Sequence, residues 1–182
     1  MAEPVAHHLS ALDGAIGEGW SGVDPNGAHV NVILARRGSP TAASLMTAFT
    51  SPKPGHSPIL VCVGETKDDY EPIWPPTVMM NKATTTPGSR HEAITFGAAQ
   101  LGIGQGVLDA VAEGLLEATG DTIVFVAIWV HEGVEDETAM RKATRAATHK
   151  GVATAVRGRD TVAARALVER RDSLRSPFYG GE

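Results

Sequence analysis

The alternation of apolar and polar positions first becomes regular at HVNVILA, residues 29–35, where β-branched side chains at period two predict a strand. Val30, Val32 and Leu34 then face a core, while His29, Asn31 and Ile33 share the other face, with His29 and Asn31 adjacent on it. After RRGSP the pattern becomes that of a short helix over TAASLMTAF, with Ser39 as N-cap, Pro40 at the first helical position, and Leu45 and Phe49 turned inward. SPKPGHSP, residues 51–58, is proline-rich punctuation. ILVCV, residues 59–63, reads as a buried strand, and KDDYEPIWPP as an exposed loop. TVMMNKATTT, residues 77–86, alternates again, so that Val78, Met80, Lys82 and Thr84 point one way and Met79, Asn81 and Ala83 the other.

Pro87 and Gly88 end that strand, and Ser89 followed by Glu92 has the spacing of a capping box opening a long helix. Ile94, Leu101, Leu108, Val111 and Leu115 supply its expected apolar stripe, and Gly120 its end. Glycines at 97, 102, 104 and 106 each cost about 1 kcal/mol relative to alanine inside a helix. Two explanations stand: another backbone or a ligand approaches closely there, or the helix breaks at GIGQG. TIVFVAIWV, residues 122–130, is the strongest continuous β signal and reads as a central strand. The segment after His131 has helical spacing, with Met140, Ala143, Ala147 and Val152 on one side. From Asp160 onward, TVAARALVERRDSLR reads as a separate charged amphipathic helix. Strands beginning near 29, 59, 77 and 122, with helices grouped after pairs of strands, predict an α+β layered sheet with helices rather than a doubly wound fold.

Composition narrows the partners. At 182 residues, 42% hydrophobic and 20% charged, the chain supports one substantial core with frayed ends. A net charge of −5 leaves no basic footprint, so no nucleic acid and no anionic membrane is expected as partner. Cys62 is the single cysteine, which rules out an intrachain disulfide and a multi-cysteine metal site. No stretch approaches the roughly 18 apolar residues of a membrane span, and the start lacks a secretion-signal plan. A cytoplasmic location is therefore expected.

Phosphate-loop, dinucleotide, nucleophile-elbow and paired-histidine metal signatures are absent, and no metal is expected. GIGQG sits within a helical pattern rather than between a strand and a helix. His29 taken alone reads more readily as an ordinary strand-end histidine than as a proton donor. Lys82 is more pointed: a lysine flanked by Val78, Met79 and Met80 needs a partner or a cleft, unless it snorkels at a strand end. Thr84 and Gln100 offer neutral hydrogen-bonding groups, with capping or surface solvation as their plain roles.

Four segments together resemble the formaldehyde-activating enzyme family: AHVNVILARRGSP, PPTVMMNKATTT, ITFGAAQLGIGQGVLDAVAEG, and VHEG with KATRAATHKGVATAV. The resemblance covers about residues 14–158, which divides the chain into a flexible segment 1–13, the family-like domain 14–158, and a helical extension and tail 159–182. It implies a ribosomal protein S5 domain 2-like fold, assembled as a homopentamer with pterin clefts between subunits. The implied reaction is condensation of formaldehyde with tetrahydromethanopterin to methylene-tetrahydromethanopterin and water, in one-carbon metabolism, methylotrophy and formaldehyde detoxification. The family's proton-donating histidine falls on His29, and its pterin-site leucine, lysine, threonine and glutamine fall on Leu60, Lys82, Thr84 and Gln100. No tightly bound cofactor is implied; tetrahydromethanopterin is a co-substrate.

One position departs from the family, which has an aspartate where Asn31 stands. An asparagine keeps hydrogen bonding but supplies no charge, so proton donation by His29 should be less available near neutral pH. The alternative function is then a weak or inactive homologue that binds a pterin or formaldehyde as sensor, carrier or partner subunit.

Overall fold

The computed structural model describes residues 12–176, so most of the segment expected to be flexible at the start, and nearly all of the SPFYGGE end, lie outside the described residues. β1 (Ile16–Ser21), β2 (Ala28–Arg36), β7 (Thr122–Val130), β6 (Thr77–Asn81) and β3 (Pro58–Leu60) form one five-stranded sheet in that order. All neighbours are antiparallel except β6 and β7, which run parallel. β4 (Cys62–Val63) and β5 (Glu71–Pro72) make a small separate ribbon. The architecture is mixed α+β, and β7 is central, as its unbroken apolar run predicts.

The sheet has one covered face and one largely open face. Helices α3 (Gln100–Ala112) and α4 (Glu137–Arg157) bury Val30, Val32, Leu34, Met79, Val124, Val126 and Ile128 in the main core. Full burial of side chains such as Met140 and Ile103 is worth about 2–3 kcal/mol each. Arg145 clamps the two helices by a two-pronged pair with Asp109, at 2.6 and 2.7 Å. On the other face, α1 (Pro40–Thr50) covers only one end, packing Ala42 and Leu45 against Val78 and Phe125. Ser39 caps α1 as its sequence predicts, but Phe49 is exposed.

β1 has no counterpart among the expected strands. Glycines at 17 and 19 suppress its β signal, and the packing explains them. A Cβ at Gly17 would collide with the Gly151 carbonyl, and one at Gly19 with that of Ala147, because α4 lies directly on the backbone of β1. ILVCV, expected as one strand, is split between β3 and β4, which belong to different sheets, with Val61 buried between them.

The long helix also differs from its expected form. It begins as α2 (Arg90–Ile94), with Ser89 accepting from the Glu92 amide, then makes a π-helical turn over Thr95–Ala99 before α3. GIGQG is not a break: Gly102 and Gly106 abut the Arg141 and Arg145 carbonyls of α4, so helix-to-helix approach accounts for them. With glycines facing α4, the buried stripe is Ile103, Val107 and Ala110, and Leu101 and Leu108 are exposed. Gly114, at φ +72°, follows the helix end in place of the expected Gly120. α4 buries Met140, Ala143, Ala147 and Val152 as predicted. The charged helix α5 (Thr161–Glu169) buries none of its residues.

Candidate active site

Strand parity puts the candidate chemistry on the open face. In β2, Val30, Val32 and Leu34 are buried, and His29 and Asn31 project from the other side. β6 ends at Asn81, and Lys82 is held at the strand's exit by its amide, which donates to the Ile128 carbonyl at 2.7 Å. From there the lysine reaches across β7, whose residue beside Asn31 is the small Ala127. Lys82 Nζ donates to Asn31 Oδ1 at 2.8 Å and lies 3.0 Å from His29 Nδ1.

The opposite ring nitrogen, His29 Nε2, lies 2.9 Å from Glu18 Oε1 of β1. Glu18 stands across from Asn31, and Trp20 across from His29. The sequence reading missed both, although G-E-G-W-S alternates glycine against the helix with glutamate and tryptophan toward the open face. Trp20 and Trp129 stack with ring centroids 6.0 Å apart and an interplanar angle of 24°, and Trp20 is also 6.0 Å from the His29 ring. Beside Asn31 an apolar cavity of about 110 Å³ opens between the sheet and α1, lined by Ile33, Leu45, Val78, Met80 and Phe125.

The electrostatics follow from this geometry. Burial pulls the Lys82 ammonium below the ordinary lysine range, and the Glu18 carboxylate beyond His29 opposes that shift. Among the described residues no carboxylate contacts Nζ, and its side-chain partners are His29 and the neutral Asn31. The 3.0 Å contact between Nζ and Nδ1 accommodates one hydrogen: an ammonium donates to a neutral imidazole, or an imidazolium donates to an amine. The carboxylate next to the histidine is thus Glu18, and Asn31 acts on the lysine.

The remaining candidates lie elsewhere. Leu60 is exposed on the edge strand β3, opposite Val78. The strand expected to run to residue 86 stops five residues earlier, so period two does not carry Thr84 onto the face of Lys82; Thr84 is exposed and packs against Gly55. Gln100 is buried in the helical layer, where its amide donates to the Cys62 carbonyl and the Tyr70 hydroxyl. Within one chain the structure gathers His29, Asn31 and Lys82, adds Glu18, Trp20 and Trp129, and leaves Leu60, Thr84 and Gln100 apart from them.

An acid–base cluster beside an aromatic wall, on the uncovered face of an α+β sheet, suits proton transfer to a small polar substrate. The chain belongs to the formaldehyde-activating enzyme family, whose model matches residues 16–179. It is 30% identical over 169 residues to a 5,6,7,8-tetrahydromethanopterin hydro-lyase of Methanosarcina barkeri, covering 92% of this chain and 91% of that protein. It is also similar to two proteins described as bifunctional enzyme Fae/Hps. One, from Methanothrix thermoacetophila, is 24% identical over 145 residues, covering 79% of this chain and 36% of its own length. The other, from Methanococcoides burtonii, is 28% identical over 145 residues, covering 79% of this chain and 35% of its own. The chain therefore spans about a third of the bifunctional relatives. Among the described residues no helix is long and apolar enough to cross a membrane.

Proposed function

We propose that the protein condenses formaldehyde with tetrahydromethanopterin to give methylene-tetrahydromethanopterin and water. The observation that carries this reading is the chain of contacts Glu18–His29–Lys82–Asn31 on one sheet face. A pterin amine adds to formaldehyde to form a carbinolamine, whose hydroxyl must leave as water. His29 donates that proton, the second pterin amine closes on the resulting iminium, and solvent recharges the imidazole. Glu18 stabilises the imidazolium between turnovers. Trp20 and Trp129 offer flat faces on which a pterin ring stacks. Holding both pterin nitrogens near the one-carbon unit makes the condensation nearly unimolecular, a large part of the acceleration.

The proposal includes an S5 domain 2-like fold and a pentamer of identical subunits, with the cleft completed across the subunit boundary. The exposure of Leu60 and Thr84 supports a composite site of this kind. Gln100 then acts by fixing Tyr70 and the β4 backbone at the cleft's edge. The test is the rate of methylene-tetrahydromethanopterin formation with and without protein, together with light scattering at micromolar concentration. A pentamer that accelerates the reaction is the expected result. A rate equal to the spontaneous one overturns the enzymatic reading, and a stable monomer overturns the composite cleft.

A further inference from the structure

We propose that Lys82 itself captures formaldehyde covalently, first as a carbinolamine and then as a methylene iminium on Nζ, with His29 moving the proton between the two steps. This rests on the reading of formaldehyde as substrate and adds a protein-bound one-carbon carrier to it.

The placement of three side chains around Nζ carries the inference. His29 Nδ1 is 3.0 Å away, so the single hydrogen in that contact passes from ammonium to imidazole without movement of either side chain. Glu18 Oε1, 2.9 Å from Nε2, then faces the positive ring and favours the amine–imidazolium form. Asn31 orients Nζ at 2.8 Å through a neutral oxygen, which positions the amine without the counter-charge that would hold it as ammonium. The arrangement is a carboxylate–imidazole–nucleophile relay with an amine as nucleophile. Half-burial of the lysine works in the same direction. An apolar cavity of about 110 Å³ adjoins Asn31, the residue that orients Nζ.

The chemistry balances. Rotation about the Cε–Nζ bond turns the Nζ lone pair from the Nδ1 hydrogen to the formaldehyde carbon, to which it bonds as the carbonyl π pair moves to oxygen, and an Nζ proton passes to that oxygen to give Nζ–CH2OH. His29 then delivers its Nδ1 proton to the hydroxyl. The C–O bond breaks, water departs, and the nitrogen lone pair closes the C=N bond. Overall one ammonium and one formaldehyde yield one methylene iminium and one water, with His29 neutral again and no change of oxidation state. An attacking amine of the second substrate adds to this carbon, and the C–Nζ bond then breaks to release the lysine amine and leave the methylene group on the second substrate.

The test uses the intact protein without pterin. Limiting deuterated formaldehyde and cyanoborohydride near neutral pH convert each iminium to a stable N-methyl group, and peptide mass mapping compares Lys82 with Lys53, Lys67, Lys142 and Lys150. Lys82 is expected to be methylated ahead of the other four by about tenfold or more, with the lead lost in urea and in folded His29→Gln protein. Labelling of Lys82 no faster than the others in native protein overturns the proposal, as does an undiminished lead in His29→Gln. A protein that accelerates the pterin condensation while labelling unselectively refutes the covalent step and leaves the general-acid reading standing. Selective labelling without acceleration supports the covalent step and refutes that reading.

Discussion

Glu18 Oε1 meets His29 Nε2 at 2.9 Å on a diagonal between neighbouring strands, because the β1–β2 register sets Glu18 opposite Asn31 and Trp20 opposite His29. This contact supplies the histidine with a carboxylate that Asn31 cannot. Glu18→Gln keeps an acceptor and removes the charge. Turnover near neutral pH should fall about three- to tenfold, a modest loss because the carboxylate is 61% exposed. Equal turnover rates for the two proteins would exclude Glu18 from the proton relay.

His29→Ala should reduce turnover about 10²-fold or more while leaving the pterin KM close to the parent's, since a general acid acts mainly in the transition state. Lys82→Ala should raise KM as well as lower turnover. Steady-state kinetics of both variants, with circular dichroism to verify folding, separate these outcomes from a shared loss of structure.

Asn31→Asp introduces a charge whose nearest partner is Lys82 Nζ, now 2.8 Å from Asn31 Oδ1. A carboxylate there favours the ammonium and offsets the effect of burial, so the lysine should titrate at higher pH than in the parent. NMR of lysine labelled at the ε-carbon measures this directly. An unchanged Lys82 titration would show that the lysine does not make this contact in solution.

Gly19→Ala places a methyl group against the Ala147 carbonyl of α4, a backbone atom that cannot rotate away. The variant should lose about 2–3 kcal/mol of stability or more, which for a chain of this size is roughly 5–10 °C in Tm. Thermal unfolding followed at 222 nm measures the loss, and a Tm within a degree of the parent's would contradict the close seating of α4 on β1.

Asp13 accepts hydrogen bonds from the Ser39 and Thr41 hydroxyls, at 2.7 and 3.1 Å, and from the Arg36 amide at 2.8 Å. These bonds, the Ser39 one foremost, hold its carboxyl below the usual aspartate range. A depressed folded value means the stabilisation is present above the unfolded value near 3.8 and is lost as pH falls through the folded one. Asp13→Ala should therefore lower Tm at pH 7, and the gap from the parent should narrow steadily in acid. A constant gap down to pH 2 would disprove the ionic origin.

Local pattern was enough to place the inner face of β2, the central β7, the Ser39 and Ser89 caps and the inward side of α4, because each depends on short-range periodicity or on a cap within three residues. It also placed His29 and Asn31 side by side, since parity along one strand needs no knowledge of neighbouring strands. Tertiary structure decided the rest. β1 was hidden because its glycines answer to a helix more than a hundred residues later in the chain, and Glu18 and Trp20 were hidden with it. The stripe of α3 was misassigned because Gly102 and Gly106, not Leu101 and Leu108, face α4. The meeting of Lys82 with His29, 53 residues apart, required β7 between β2 and β6 and a small residue at 127 to let the lysine cross. Periodicity assigns each side chain to a face; only strand order and register determine which side chains on that face come within hydrogen-bonding distance.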